Sequence, residues 1–192
     1  LIIDASLQQA AHWRMARPRQ NGRVAVNMSA DQFARPDFVP RILRALERHH
    51  AQGSWLELEL TESALVEDID HTRATLHQLH EAGIHTSLDD FGTGFSSLSH
   101  LKLLPVQWLK IDRSFVTNIA RDHGDAAIVK ATIGMARSMN VRILAEGVES
   151  TEQLAHLQAF GCDAVQGFLF SPAVSAVDAR AFYDGFRIEP AS

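Results

Sequence analysis

Short runs rich in apolar and β-branched residues recur along the chain, and stretches of helical spacing lie between them. These runs predict strands at Arg23–Val26 (RVAV), Trp55–Leu60 (WLELEL), His85–Leu88 (HTSL), Gln107–Ile111 (QWLKI), Val141–Ala145 (VRILA) and Asp163–Gln166 (DAVQ). From Asp125 to Met139, the residues Ile128, Val129, Ile133 and Ala136 fall on one predicted helical face. Ser150 followed by Gln153 makes a capping box that opens the next helix, and Gly161 after Phe160 supplies its stop. Gly83 plays the same stopping part ahead of the strand at His85.

Strands alternating with helices imply parallel strands joined by right-handed crossovers, so the class is α/β. The position of the polar residues then separates an open sheet from a barrel. Nearly every predicted strand ends in one: Asn27; Glu59 with Thr61 and Glu62; Asp89 and Asp90; Lys110 and Asp112; Glu146 and Glu149; Gln166. An open doubly wound sheet gathers its site at one switch point, whereas a barrel collects residues from the C-terminal ends of many strands around one mouth. The expected fold is therefore a TIM-type (β/α)8 barrel. About six βα units are visible where such a barrel has eight, so its first strands are expected to be missing from this chain.

Composition narrows the function classes. With 192 residues, 46% of them hydrophobic, the chain is expected to form a single domain, residues 1–192, around one core. A net charge of -5 argues against binding to a nucleic-acid polymer. The lone Cys162 excludes an internal disulfide framework and a cysteine-rich zinc site. No leader and no apolar run of membrane-spanning length is evident, so a cytoplasmic chain without membrane contact is expected.

The adjacent carboxylates of Asp89 and Asp90, at the end of an apolar run, are costly unless they share a cation. Asn27, Glu59, Asp89 and Asp90 are hard oxygen donors of the kind suited to magnesium or manganese, and no histidine or cysteine set competes with them. Two ions on such ligands can activate a bridging water for in-line displacement at phosphorus. Lys110 then supplies fixed positive charge near the reacting group, with Glu146 holding either it or a water in place. The two glycines of Asp90-Phe-Gly-Thr-Gly allow a close-approaching loop, which Ser96 and Ser97 can tie to Glu62 or Glu149. The ten histidines sit mostly in predicted helices, as His71, His77 and His80 do, and read as solvated-face residues. Cys162 and the three tryptophans read as packing residues.

The strings VAVNMSADQF (24–33), LELTES (58–63), LDDFGTGFSSLSHLKLLPVQWLKIDRSFV (88–116), ILAEGVES (143–150) and GCDAVQGFLFSPA (161–173) closely resemble the EAL-domain family of cyclic di-GMP phosphodiesterases. The resemblance implies a modified TIM-type barrel that hydrolyses cyclic di-GMP to linear pGpG with two Mg²⁺ or Mn²⁺ ions. By motif, Asn27, Glu59, Asp89 and Asp90 match metal ligands. Lys110 matches the residue that positions water or stabilises the transition state, and Glu146 the acidic residue supporting the metal–water cluster. Asp112 matches a site carboxylate near the lysine, Glu62 and Glu149 match anchors of the glycine loop, and Gln166 matches a guanine contact. Glu62 and Glu149 also suit helix-start carboxylates, and Gln166 a plain turn residue. The family's Glu-Ala-Leu signature lies upstream of the Asn-x-Ser motif; this chain opens at Leu1 in what resembles an early barrel helix. A homodimer is expected by the same resemblance. The rival expectation is a catalytically inactive cyclic di-GMP receptor.

Overall fold

The computed structural model describes residues 2–16, 22–61, 68–92 and 101–179. Helix α1 (Ile2–Ala16) precedes β1 (Val24–Met28), the short helix α2 (Ala30–Phe33), α3 (Phe38–Arg48) and β2 (Leu56–Thr61). Then come α4 (Ile69–Glu81), β3 (His85–Phe91), β4 (Trp108–Ile111), the short α5 (Arg113–Thr117), α6 (His123–Ser138), β5 (Arg142–Ala145), α7 (Thr151–Phe160) and β6 (Ala164–Val165).

The six strands form one parallel sheet in the order β1-β2-β3-β4-β5-β6. A doubly wound sheet would reverse its order at a switch point; this one never does, and steady winding in one direction is the arc of a (β/α)8 barrel. All six strands lie within two or three residues of their expected positions.

Strand alternation sorts the side chains by chemistry. In β2, Leu56, Leu58 and Leu60 are fully buried beneath the helices, while Glu57, Glu59 and Thr61 occupy the other face. The helices supply the facing layer: Val39, Ile42, Ala45 and Leu46 from α3, Leu76 and Leu79 from α4, Val129, Ile133 and Ala136 from α6, and Leu157 from α7. The valines, leucines and isoleucines among them each stabilise the fold by about 1.5–3 kcal/mol on burial. Ile128 departs from expectation and is 45% exposed. The buried stripe of α6 is Val129, Ile133 and Ala136, at the three- and four-residue steps of one helical face, and Ile128 lies a hundred degrees off it.

The caps follow the sequence. Ser150 accepts from the Gln153 backbone N–H while the Gln153 side chain accepts from the Ser150 N–H, and Gly161 ends α7 in the left-handed region. Gly83 follows the end of α4 with φ 76°. Among the described residues, no helix is long and apolar enough to cross a membrane.

Candidate active site

The register between strands brings the candidate residues to one face and nearly one level. Asn27 pairs with Glu59, Glu59 with Ser87, and Thr61 with Asp89, so Asn27, Glu59 and Asp89 occupy neighbouring positions across β1, β2 and β3. Between β3 and β4 the register slips: Leu88 pairs with Leu109, yet Phe91 pairs with Ile111. The extra residue in β3 is a bulge, and Asp90 there adopts φ 54°. A regular strand would send adjacent aspartates to opposite faces. At the bulge Asp89 is buried and Asp90 exposed, with the Asp90 N–H donating to Asp89 Oδ1 at 3.1 Å.

Lys110, in the middle of β4, is the hub. Its ammonium lies 2.9 Å from Glu59 Oε1, 3.0 Å from Asp89 Oδ1 and 2.7 Å from Glu146 Oε1, with only 6% of the side chain exposed. One cation thus draws carboxylates from β2, β3 and the loop after β5 onto a single point. Burial disfavours the charged lysine, but the hydrogen bonds to Glu146, Glu59 and Asp89 outweigh it and hold Lys110 above its ordinary value. Glu59 is held above the usual carboxylate range, chiefly by burial and further by the charges of Asp89 and Glu146, against the pull of Lys110. Asp90, though exposed, is raised too, by partial loss of hydration at the cluster's edge and then by the charges of Asp89 and Asp112. The cluster therefore carries a surplus of negative charge that a further cation would relieve. Hard oxygen donors crowded in this way fit divalent magnesium or manganese. Among the described residues, no three acidic, histidine or cysteine side chains stand in a metal-coordinating arrangement.

The remaining candidates divide. Glu146 is fixed by its N–H, which donates to Ile111 O at 3.1 Å, and by the close packing of the next residue: Gly147, at φ 71°, leaves no room for a side chain, since a Cβ would sit 2.5 Å from Arg113 Cβ. Asp112 caps α5, accepting from the Ser114 N–H at 3.0 Å, and its charge reaches Asp90. Gln166 is exposed just beyond β6, with its backbone tied to Ala145 and Val148. Glu149 is exposed where the chain enters α7, and its N–H donates to Gln153 Oε1. Glu62, Gly94, Ser96 and Ser97 lie outside the described residues.

Two features escaped sequence reasoning. Gln153 is buried and serves as more than a cap, joining Glu149 N and Ser150 N to Thr117 O and so tying the turn after Glu146 to α5. Ser87 Oγ, wholly buried beside Glu59, has no hydrogen-bond partner among the described residues. The histidine reading holds for His71, His77 and His80, which are all exposed; His80 contacts Gln107 at 3.0 Å, and the half-buried His49 contacts Asp4 at 3.2 Å.

The geometry accords with the wider comparison, in which the EAL domain family model matches residues 1–173. The chain belongs to the EAL-domain family. Among relatives of this EAL domain, the bifunctional diguanylate cyclase/cyclic di-GMP phosphodiesterase MucR of Pseudomonas aeruginosa is 42% identical over 175 residues, covering 91% of this chain and 25% of that protein. The cyclic di-GMP phosphodiesterase NbdA of the same organism is 41% identical, covering 97% and 23%. The chain thus spans about a quarter of the length of the curated relatives it matches. Among solved EAL structures, the PaMucR phosphodiesterase in complex with c-di-GMP superposes with a TM-score of 0.88 at 42% identity, covering 93% of this chain and 72% of that one. BlrP1 of Klebsiella pneumoniae, in a manganese/cy-diGMP complex, gives 0.76 at 29% identity, covering 88% and 44%.

Proposed function

We propose that residues 1–192 form one EAL-type barrel domain that hydrolyses cyclic di-GMP to linear pGpG with two Mg²⁺ or Mn²⁺ ions. The observation that carries this reading is the convergence of Glu59, Asp89 and Glu146 on Lys110, in a chain whose relatives include named cyclic di-GMP phosphodiesterases. In the reaction, water oxygen bonds to phosphorus as the P–O3′ bond breaks; one water proton leaves the attacking oxygen and the departing O3′ gains a proton. Asn27, Glu59, Asp89 and Asp90 would hold the ions. Paired ions of this kind supply a lowered pKa for a shared water and neutralise phosphoryl charge when bound.

Lys110 contributes a permanent positive charge beside the reacting phosphate, since its carboxylate partners keep it protonated well above neutral pH. Glu146 fixes the lysine's position, and Asp112 holds the start of α5 while keeping negative charge beside Asp90. Gln166, exposed beyond β6, is assigned to a guanine edge of the substrate. Glu62 and Glu149 are assigned as anchors of the glycine loop. We assign the dinucleotide, rather than a polymer, as ligand and a homodimer as the assembly.

The test is incubation with cyclic di-GMP and Mg²⁺ of this chain and of one extended upstream, with products separated by chromatography. Magnesium-dependent pGpG from the extended chain is expected. Tight dinucleotide binding with no pGpG would overturn hydrolysis in favour of a receptor.

A further inference from the structure

We infer that Lys110 is a tethered competitor for the metal site: its ammonium occupies the carboxylate oxygens of Glu59 and Asp89, and a divalent ion binds only as the lysine retreats onto Glu146. This rests on the reading of Glu59 and Asp89 as metal ligands. Lys110 spans Glu59 Oε1 and Asp89 Oδ1 at 2.9 and 3.0 Å, so it stands between oxygens drawn from two different strands. A small ion needs its oxygens at about 2.0–2.1 Å in near-octahedral array, closer than any ammonium contact, and it repels a cation lodged among them.

The lysine has somewhere to go. Its shortest contact is the one to Glu146, at 2.7 Å, and Glu146 is the most exposed of the three partners, at 21% of its side chain against 12% and 13%. Glu146 is itself held by its N–H on Ile111 and by the tight packing of Gly147 on Arg113. A lysine pivoting toward a fixed Glu146 frees the two inner carboxylates without leaving its charge unpaired. The same lysine holds those two carboxylates on one point, so loading requires enough metal to displace an intramolecular cation.

Mn²⁺ titration followed by the free-ion paramagnetic resonance signal measures the effect on the full chain. Lys110→Met, which keeps the side chain's length and removes its charge, is expected to bind Mn²⁺ about tenfold more tightly or better than wild type, with Lys110→Gln behaving alike. Arg113→Gln removes an exposed cation beside Gly147 and serves as a control, expected to shift affinity by less than about twofold because exposed charges are screened. Equal or weaker Mn²⁺ binding by both Lys110 variants, with wild-type binding intact, would overturn the competition alone. Absence of Mn²⁺ binding in every protein would overturn the metal reading and the competition with it. Wild-type crystals grown with Mn²⁺ give a measurement independent of any variant's folding. Nζ is expected within hydrogen-bond reach of Glu146 and withdrawn from at least one of Glu59 and Asp89; an ion bound there with Nζ still bridging both would refute the inference.

Discussion

Two capping boxes in this chain differ in their surroundings, and that difference sets a sharp expectation. Ser29–Gln32 opens α2 and Ser150–Gln153 opens α7, with the same reciprocal bonds. Gln32 is exposed, and its side chain accepts from the Ser29 N–H at 3.2 Å. Gln153 is 8% exposed; its Oε1 accepts from Glu149 N at 2.7 Å and Ser150 N at 3.0 Å, and its Nε2 donates to Thr117 O at 3.1 Å. Leucine at either position keeps the volume and removes the amide. At 153 three part-buried bonds go at about 1 kcal/mol each, so Gln153→Leu is expected to cost about 3 kcal/mol. For a domain of this size that lowers Tm by about 6–12 °C. At 32 the freed N–H meets solvent, and Gln32→Leu is expected to cost about 0.5–1 kcal/mol. Urea unfolding followed by circular dichroism reads both. Equal losses would show that the local motif, and not burial, determines the value, and the reasoning would fail.

Other expectations follow from the site. In an upstream-extended chain, Asp89→Asn and Lys110→Ala are each expected to lower turnover about 10²-fold or more, measured as pGpG formed; unchanged hydrolysis in either would remove the assignment. Mg²⁺ and Mn²⁺ are expected to support hydrolysis and Ca²⁺ to fail, because the larger ion relaxes the geometry, and full activity with Ca²⁺ would count against paired small-ion sites. Burial holds His85 below the ordinary histidine value, with Arg23, His80 and Arg142 adding to it and Glu57 opposing. The unfolded chain therefore binds the proton more readily, so stability is full above about pH 6.5 and declines as pH falls toward the folded value. His85→Gln is expected to flatten that part of the stability–pH curve; an unchanged slope would refute the linkage.

Much of this architecture was legible in the chain because parallel buried strands announce themselves as apolar runs. Leu56, Leu58 and Leu60 alternate with Glu57, Glu59 and Thr61, and that period alone places Glu59 opposite the helices. Asn27 and Asp89 follow from the same period once the strands are aligned. The sequence leaves Glu146 to hold either Lys110 or a water, and it does not disclose Lys110 as hub for Glu59 and Asp89, since register between strands far apart in sequence leaves no local signal. The bulge at Asp90 was equally hidden: Asp-Asp reads the same in a regular strand and a slipped one. Ile128 and Val129 are adjacent and apolar, yet a helix turns a hundred degrees between them, so only Val129 reaches the core. Gln153 looked like a cap because its third bond, to Thr117 O, crosses from one helix to another.

The most direct test of the central claim is an anomalous difference map from crystals of the upstream-extended chain grown with Mn²⁺. Peaks within coordination distance of Glu59 and Asp89, on the face shared with Asn27, are the predicted result. Crystals of an actively hydrolysing protein whose Mn²⁺ peaks lie away from those residues would contradict it.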